Sequence, residues 1–209
     1  METRRLGRTD LQVSALGLGG IKFSGVSQDV VSAIVAGAIE SGINIIDTAR
    51  GYGDSEQKIG RALEGRREEV ILATKSQART AEEMRRDLET SLRNLRTDHI
   101  DIYLTHNLRL PQEYDMAVAE GGAVEALERA RDEGLIGHVA ISCHRYRETL
   151  IRAIESGRFD VIMVAYNLLN DERMDEEVMQ LAKEHDIGVL VMKTLGGGVL
   201  GAVPKSLQL

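Results

Sequence analysis

Aromatic residues are scarce in this chain: they make up 3% of its 209 residues, and tryptophan is absent. A hydrophobic core must therefore be built from Val, Ile, Leu, Ala and Met, which suffice for one domain of this length. The formal net charge of −7 argues against a broad face for nucleic acid or for an anionic membrane. It leaves room for a small basic pocket that binds a phosphate.

Cysteine and long apolar runs are also missing. The single cysteine, Cys143, excludes an intrachain disulfide framework and a four-cysteine metal site on this chain, and we expect no metal. The longest apolar runs, such as VIMVAY, are too short to span a bilayer. The first residues, METRRLGRTDLQVS, lack the apolar segment of a secretory leader. These features predict a soluble, cytoplasmic protein.

The chain does contain seven short apolar runs that alternate with amphipathic helical stretches. The runs span residues 14–20, 44–49, 70–75, 100–106, 136–142, 161–167 and 188–193. Their continuous apolarity is typical of strands covered on both faces, as in a parallel sheet. No shift in composition marks a linker, so we expect one domain over residues 1–209.

Alternating strands and helices form either an open doubly wound sheet or a closed (β/α)8 barrel. The near-constant spacing of the seven units favours the TIM-type barrel. The first run continues as GLGGIKFSG, which lacks the G-x-G-x-x-G turn that opens a Rossmann sheet. The opening RRLGRTDLQVS predicts a β-hairpin that lies outside the repeat.

Polar residues stand at the ends of three consecutive strand runs. The second run ends near Asp47, with Tyr52 in the loop that follows; the third ends in Lys75 and the fourth in His106. Each residue alone is more often a turn former, a loop packer or a solvated strand end. Catalytic groups of barrels lie at the carboxyl ends of strands, and neighbouring strands are about 4.8 Å apart. One shared site therefore explains the four residues better than four coincidences.

This set of side chains suits proton transfer to a carbonyl oxygen. A neighbouring Lys75 ammonium is expected to lower the pKa of the Tyr52 phenol from its usual value of about 10. Asp47 would hold Lys75, and His106 would orient the carbonyl. The set lacks an activated nucleophile, so a hydride must come from elsewhere, and a nicotinamide is the expected source.

The sequence resembles the aldo-keto reductase family in several motifs. IIDTARGYGDSE, VILATK, DHIDIYLTH, GLIGHVAIS and VMKTLGGG match successive family motifs in order, and RRLGRTDLQVSALGLGG matches the family's hairpin and first strand. The resemblance implies a barrel that binds NADPH, with NADH as an alternative, and reduces a small aldehyde or ketone. Carried over by position, it implies a catalytic tetrad of Asp47, Tyr52, Lys75 and His106.

The resemblance also implies a set of cofactor-binding residues. These are Gly19, Gly20, Asp47, Ser142, Cys143, Met163, Met192, Lys193, Thr194, Leu195, Gly196 and Gly197. Three of them depart from the family pattern: Cys143 replaces an asparagine, Met163 a common glutamine, and Met192 a common tyrosine. VMKTLGGG resembles a branch whose members often carry an iron–sulfur domain, which is not present in this sequence.

Two other functions fit parts of this pattern. The family fold also occurs in regulatory proteins that bind a nicotinamide cofactor with little or no catalysis, but the intact tetrad argues against that role. A phosphate-binding isomerase barrel would require a carboxylate base without a paired tyrosine and lysine.

The chain is shorter than a family barrel, which typically needs about 250 residues. After the seventh run only TLGGGVLGAVPKSLQL remains, in which Pro204 is placed to begin a seventh helix. We therefore expect the eighth strand and the last helices to be absent, and the chain to be a fragment or an ordered subset of a longer reductase. Such a chain is expected to bind NADPH weakly and to self-associate through its open barrel edge.

Overall fold

Two short strands near the start of the chain form an antiparallel hairpin. In the computed structural model, which describes residues 1–144, 146–167 and 174–198, β1 (Thr3–Arg5) pairs with β2 (Gln12–Ser14). A 3₁₀ turn (Gly7–Thr9) connects them, and Asp10 after it has a left-handed φ of 58°. The hairpin predicted from the sequence is thereby confirmed.

Seven parallel strands form the main sheet, in the order in which they occur along the chain. They are β3 (Leu18–Gly19), β4 (Ile45–Asp47), β5 (Ile71–Ser76), β6 (Ile100–Thr105), β7 (Ile136–Cys143), β8 (Val161–Ala165) and β9 (Gly188–Met192). Each strand lies in one of the seven apolar runs or extends one residue beyond it, so the predicted alternating barrel architecture is confirmed. Sequential parallel order excludes the doubly wound alternative, whose strand order reverses at a switch point.

Helices connect the strands on the outer face of the sheet. They are α1 (Gln28–Glu40), α2 (Ser55–Ala62), α3 (Ala81–Leu95), α4 (Pro111–Val118), α5 (Ala123–Asp132), α6 (Arg147–Glu155) and α7 (Gln180–Glu184), the last preceded by a π-helical segment (Met174–Met179). The longest, α3, begins as its capping motif dictates, because the Thr80 hydroxyl accepts a hydrogen bond from the Glu83 amide. Within the described residues, no helix has the length and apolarity needed to cross a membrane.

The core has two layers, separated by the sheet. The larger layer packs helix residues such as Leu88 and Leu127 against outward-facing strand residues such as Tyr103. The smaller layer lies on the inner face, where Ala73 and Leu104 pack with the hairpin. Side chains alternate between the faces of a strand, so every second strand residue belongs to the inner layer.

The first apolar run is only partly a strand of the barrel. Ser14 belongs to the hairpin, and the parallel strand is limited to Leu18–Gly19 because the chain bends between them. In the described part of the chain, β3 pairs only with β4 and β9 only with β8, so the sheet is open between β3 and β9. The helix predicted to begin at Pro204 lies outside the described residues.

The hairpin packs tightly against the start of β9 at Gly7. Gly7 has a φ of +50°, and a Cβ there would lie 2.2 Å from the Gly188 nitrogen. Gly25 also has a positive φ, of +83°, but a Cβ there would meet nothing within 4 Å. We therefore expect Gly7→Ala to lower the free energy of unfolding by about 2 kcal/mol more than Gly25→Ala, because only Gly7→Ala adds a backbone clash. Equal losses in chemical denaturation of the two variants would contradict this.

Candidate active site

Three of the predicted catalytic residues lie on the inner face at the carboxyl ends of neighbouring strands. Residues two apart on a strand share a face, and Asp47, Lys75 and His106 each lie two positions after an inner-layer residue, namely Ile45, Ala73 and Leu104. The local period of the strands therefore brings the three side chains to one rim. Lys75 is 1% exposed and His106 is 8% exposed.

The Lys75 ammonium is held by two oxygen atoms. Its Nζ donates to Asp47 Oδ1 at 2.5 Å and to the backbone oxygen of Thr48 at 2.6 Å. The Asp47 side chain remains 26% exposed, whereas the Lys75 side chain is 2% exposed. A lysine this deeply buried keeps its charge only when it is paired, so Asp47 fixes both the charge and the position of Lys75.

Tyr52 lies beside these groups, on the loop between β4 and α2. The Lys75 Nζ is 5.2 Å from the centroid of the Tyr52 ring. The His106 ring meets the Tyr52 ring edge-on, with 5.8 Å between centroids and 84° between planes. The loop thus returns Tyr52 to the same rim, and the structure brings all four predicted catalytic residues together.

The pKa of Tyr52 is shifted opposite to the expectation from the sequence. Burial, followed by the nearby Asp47 carboxylate, raises the pKa of Tyr52 to about 12. Burial also raises the pKa of Asp47, and the Lys75 ammonium opposes that shift. The sequence argument counted Asp47 only as the group that holds Lys75 and left out the effect of its negative charge on the phenol. Asp47 offsets the ammonium charge there, so desolvation dominates.

His106 is neutral at physiological pH. Burial lowers the pKa of His106 from 6.5 to about 3, and the positive charge of Lys75 adds to the effect. The His106 backbone amide donates to the Ser76 carbonyl at 2.7 Å, which fixes the end of the strand. Its Nδ1 atom is buried without a hydrogen-bond partner in the described residues. The imidazole can therefore exchange hydrogen bonds with a carbonyl but does not serve as a cationic acid.

This shift predicts a pH dependence of stability. The unfolded chain binds a proton at His106 near pH 6.5, whereas the folded chain does so only near pH 3. Above pH 6.5 His106 is unprotonated in both states, so it adds no pH dependence to the free energy of unfolding. Between pH 6.5 and about pH 3 the unfolded chain binds more protons than the folded chain, so the free energy of unfolding falls as the pH decreases. We expect His106→Gln to reduce the loss in free energy of unfolding between pH 7 and about pH 4. His185→Gln, at an exposed position, is the control; identical pH profiles for His106→Gln and the wild type would refute the assignment.

A cavity of about 970 Å³ opens at this rim and extends along the inner face. The tetrad lines it together with six of the predicted cofactor-binding residues. The latter are Gly19, Asp47, Met163, Met192, Lys193 and Thr194. The cavity continues between β3 and β9 to the hairpin, because the sheet is open on that side.

The other predicted cofactor-binding residues are not in the described lining of this cavity. They are Gly20, Ser142, Cys143, Leu195, Gly196 and Gly197. A Cβ at Gly20 would lie 2.7 Å from Ser55 Oγ, so this glycine allows α2 to approach β3 closely. Gly196 and Gly197 both have left-handed φ values, of 60° and 72°, which glycine adopts without strain.

Ser142 and Cys143 are fully buried at the end of β7 and face opposite sides of the sheet. The Ser142 hydroxyl accepts a hydrogen bond from the Asn107 amide at 2.8 Å. The Cys143 side chain belongs to the outer layer of the core, and its Sγ contacts the Tyr146 carbonyl at 3.6 Å. The alternation of side chains along the strand was the sequence signal that would have placed Cys143 away from the cavity.

His144 is a cavity residue that the sequence reasoning did not assign to the site. Its Nδ1 lies 3.3 Å from Lys193 Nζ, and both residues line the mouth of the cavity. Lys193 itself has a left-handed φ of 59°. The position of His144 directly after the end of β7 was the available sequence signal, since loops that follow barrel strands carry functional groups.

The strands and helices follow a barrel architecture with the four candidate residues on one rim, and comparisons with known proteins specify the family. The family model described as "Aldo/keto reductase family" matches residues 15–203, and the chain belongs to this family. It is 31% identical, over 93% of its length, to the NADH-specific methylglyoxal reductase of Escherichia coli (strain K12), of which it covers 68%.

Two solved structures show the same fold. The holo form of aldo-keto reductase AKR11C1 from Bacillus halodurans is 32% identical, with a TM-score of 0.85 over 98% of this chain and 70% of that chain. An aldo-keto reductase from Klebsiella pneumoniae, solved in complex with NADPH, is 27% identical, with a TM-score of 0.80 over 96% of this chain and 71% of that chain. The chain spans about two thirds of the length of the curated relatives it matches.

Proposed function

We propose that this protein reduces an aldehyde or ketone to an alcohol with NADPH, or with NADH, as the hydride donor. The observation that carries the proposal is the pairing of the buried Lys75 with Asp47, set directly beside Tyr52 and His106. The reduced nicotinamide supplies the hydride when bound. The Klebsiella pneumoniae relative binds NADPH and the Escherichia coli relative is NADH-specific, so both cofactors are candidates.

The cavity has features that suit such a cofactor. Met163 and Met192 form an apolar part of its wall, and thioethers pack favourably against aromatic rings. Lys193 and His144 lie at the mouth, where their positive or donor groups suit a phosphate. The volume lies within the range of known small-molecule sites, roughly 300–1,000 Å³.

Tyr52 is the proposed proton donor. A pKa of about 12 keeps the phenol protonated at neutral pH, so it carries the proton that it must deliver. The alkoxide oxygen formed by hydride addition is more basic than a phenolate, so the transfer is favourable. Lys75 then stabilises the phenolate that remains, and Asp47 keeps Lys75 in place. His106, neutral and edge-on to Tyr52, orients the carbonyl oxygen.

A hydride-transfer assay tests the proposal. The purified chain is mixed with NADPH or NADH and a series of simple aldehydes and ketones, and the absorbance of the reduced nicotinamide is followed. Turnover that requires both cofactor and carbonyl is the expected result. Loss of absorbance that continues without a carbonyl compound would point to a different reaction.

A nicotinamide-binding regulatory protein remains the second candidate. The observation that favours it is the substitution of Cys143 at a cofactor position, with its side chain in the outer core layer. This candidate predicts binding of NADPH, seen by its fluorescence, without reduction of any carbonyl. Failure of both binding and turnover would refute both candidates.

Self-association through the open edge between β3 and β9 stays a prediction, which sedimentation velocity can test.

A further inference from the structure

A carboxylate outside the cavity is buried more completely than any acid within it. Glu56, in the first turn of α2, is 1% exposed and lies on the helix side of the sheet. A buried charge is stable only when its hydrogen-bonding capacity is satisfied. The carboxylate accepts four hydrogen bonds of 2.8–3.0 Å. The donors are Arg50 Nη1, Thr74 Oγ1, Ser91 Oγ and Asn94 Nδ2.

These donors come from three separate elements around the site. Arg50 lies on the loop that carries Tyr52, Thr74 precedes Lys75 on β5, and the other two donors belong to α3. Glu56 therefore links the tyrosine loop to the lysine strand through one carboxylate. Side chains alternate between the two faces of β5, so Lys75 points inward and Thr74 points outward to the Glu56 carboxylate.

A second carboxylate extends the cluster toward His106. Asp87 on α3 lies 3.6 Å from Arg50 Nε and accepts a hydrogen bond from the Ser76 hydroxyl. The Ser76 carbonyl in turn accepts from the His106 amide at 2.7 Å. The Arg50 backbone amide donates to the Lys75 carbonyl at 2.9 Å. The cluster thus contacts the chain immediately beside Tyr52, Lys75 and His106.

The tyrosine loop needs such an anchor because its own sequence gives it little stiffness. Tyr52 is flanked by Gly51 and Gly53, and glycine restricts the backbone least of all residues. Arg50, two residues before Tyr52 on this loop, is held between two carboxylates. Its Nε is buried without a hydrogen-bond partner in the described residues. The guanidinium thus lies between the carboxylates of Glu56 and Asp87, although its Nε donor makes no hydrogen bond there.

We propose that Glu56, Arg50 and Asp87 form a positioning cluster that sets the geometry of Tyr52 relative to Lys75 and His106. The cluster touches neither substrate nor cofactor; it acts through the backbone of the site residues. This inference rests on the proposed function. It distinguishes the cluster from an ion pair such as Arg67–Asp101, which lies at the opposite ends of the same strands.

Glu56→Gln is the direct test, because it removes the charge and keeps the shape. We expect kcat for carbonyl reduction to fall by about tenfold or more, since small misplacements of reacting groups are costly. KM for the carbonyl compound and the Kd for NADPH should change by less than about twofold, because the cavity wall is intact. A parallel rise in KM and Kd with unchanged kcat would overturn the proposal.

A matched control lies at the opposite ends of the same strands. Asp101 accepts hydrogen bonds from Arg67 at 2.7 Å and from the Leu72 amide at 2.8 Å, and both side chains of this pair are about one fifth exposed. Asp101→Asn should lower Tm as Glu56→Gln does but leave kcat unchanged. Equal kcat losses in both variants would show that the effect is general destabilisation and would reject a positioning role.

A milder variant covers the case in which Glu56→Gln does not fold. Thr74→Val removes one hydrogen bond to Glu56 and leaves every charge in place. It should lower kcat several-fold at a temperature where the protein is fully folded, with KM unchanged. If kcat stays at the wild-type value, Glu56 does not act through the lysine strand and the proposal fails.

Tyrosine resonances provide a readout that does not depend on activity. With carbon-13 in the tyrosine rings, the Tyr52 resonance is assigned by its absence in Tyr52→Phe. Tyr103, whose hydroxyl lies 3.1 Å from Ser91 Oγ, reports directly on the cluster. In Glu56→Gln both resonances should move, and in Asp101→Asn neither should. A shifted Tyr103 with an unmoved Tyr52 would overturn the inference, even if the wild type showed no turnover and the proposed function had failed.

Discussion

Tyr52→Phe is expected to abolish carbonyl reduction while the fold and the cofactor affinity are kept. The variant loses only the hydroxyl, and the ring that packs edge-on against His106 and near the Lys75 ammonium remains. A positioned general acid typically contributes about a hundredfold or more to turnover, and we expect at least that loss in kcat. Steady-state kinetics with a simple aldehyde, and titration of NADPH fluorescence, measure the two quantities separately.

The control for this variant is a tyrosine that lies elsewhere on the surface. Tyr146 is 42% exposed, so Tyr146→Phe removes a hydroxyl without touching the tetrad. It should turn over at the wild-type rate. Near wild-type kcat in Tyr52→Phe would remove the tyrosine from the proposed mechanism, whatever the affinity for the cofactor.

Lys75→Met is expected to reduce turnover as strongly as Tyr52→Phe does. Combining it with Asp47→Asn separates the effect on activity from the effect on stability. Without the ammonium, nothing stabilises the phenolate, and kcat should fall by about a hundredfold or more. Asp47→Asn alone leaves a buried ammonium with only the Thr48 carbonyl, which should lower the free energy of unfolding by about 3 kcal/mol. The Asp47 side chain is partly exposed, so Lys75→Met should cost less stability than Asp47→Asn.

The double variant tests whether the two residues act as a pair. Lys75→Met with Asp47→Asn removes both charges, so chemical denaturation should show most of the stability recovered relative to Asp47→Asn. Its kcat should be no lower than that of Lys75→Met, because residues that act as a unit are not additive. Strictly additive losses in either measurement would contradict the pairing.

A second buried lysine provides the matched control for activity. Lys58 is 8% exposed and donates to the Phe23 carbonyl at 3.0 Å, with Asp54 at 2.8 Å. It thus has the same kinds of partner as Lys75 but lies away from the described cavity lining. Lys58→Met should lose stability and keep kcat. Comparable loss of kcat in both lysine variants would show that buried charge, and not its place beside Tyr52, is what matters.

The four candidate catalytic residues could be found from the sequence because their placement depends on local rules. A run of strand residues fixes which side chains face inward, and the repeat of strand and helix fixes which strand ends share a rim. Asp47, Lys75 and His106 follow from these rules alone. Tyr52 follows from its short loop, which returns to the same rim. The catalytic roles of these residues stay predictions until the variants are measured.

The Glu56 cluster could not be found in this way. Three of the four donors to its carboxylate lie 18 to 38 residues away along the chain, on β5 and α3. A glutamate in the first turn of a helix is common, and its sequence context gives no sign of burial. Only the packing of α2 and α3 against the sheet removes water from Glu56 and requires the four hydrogen bonds.

The sequence by itself determined the order of strands and helices, the hairpin, and the rim at which the polar side chains meet. These depend on periodicity and chain connectivity, which act over a few residues at a time. The tertiary structure decided the electrostatic state of the site. Whether the pKa of Tyr52 rises or falls depends on the balance between desolvation and the charges of Lys75 and Asp47. That balance exists only once distant segments have excluded water from the phenol, and here desolvation is the larger effect.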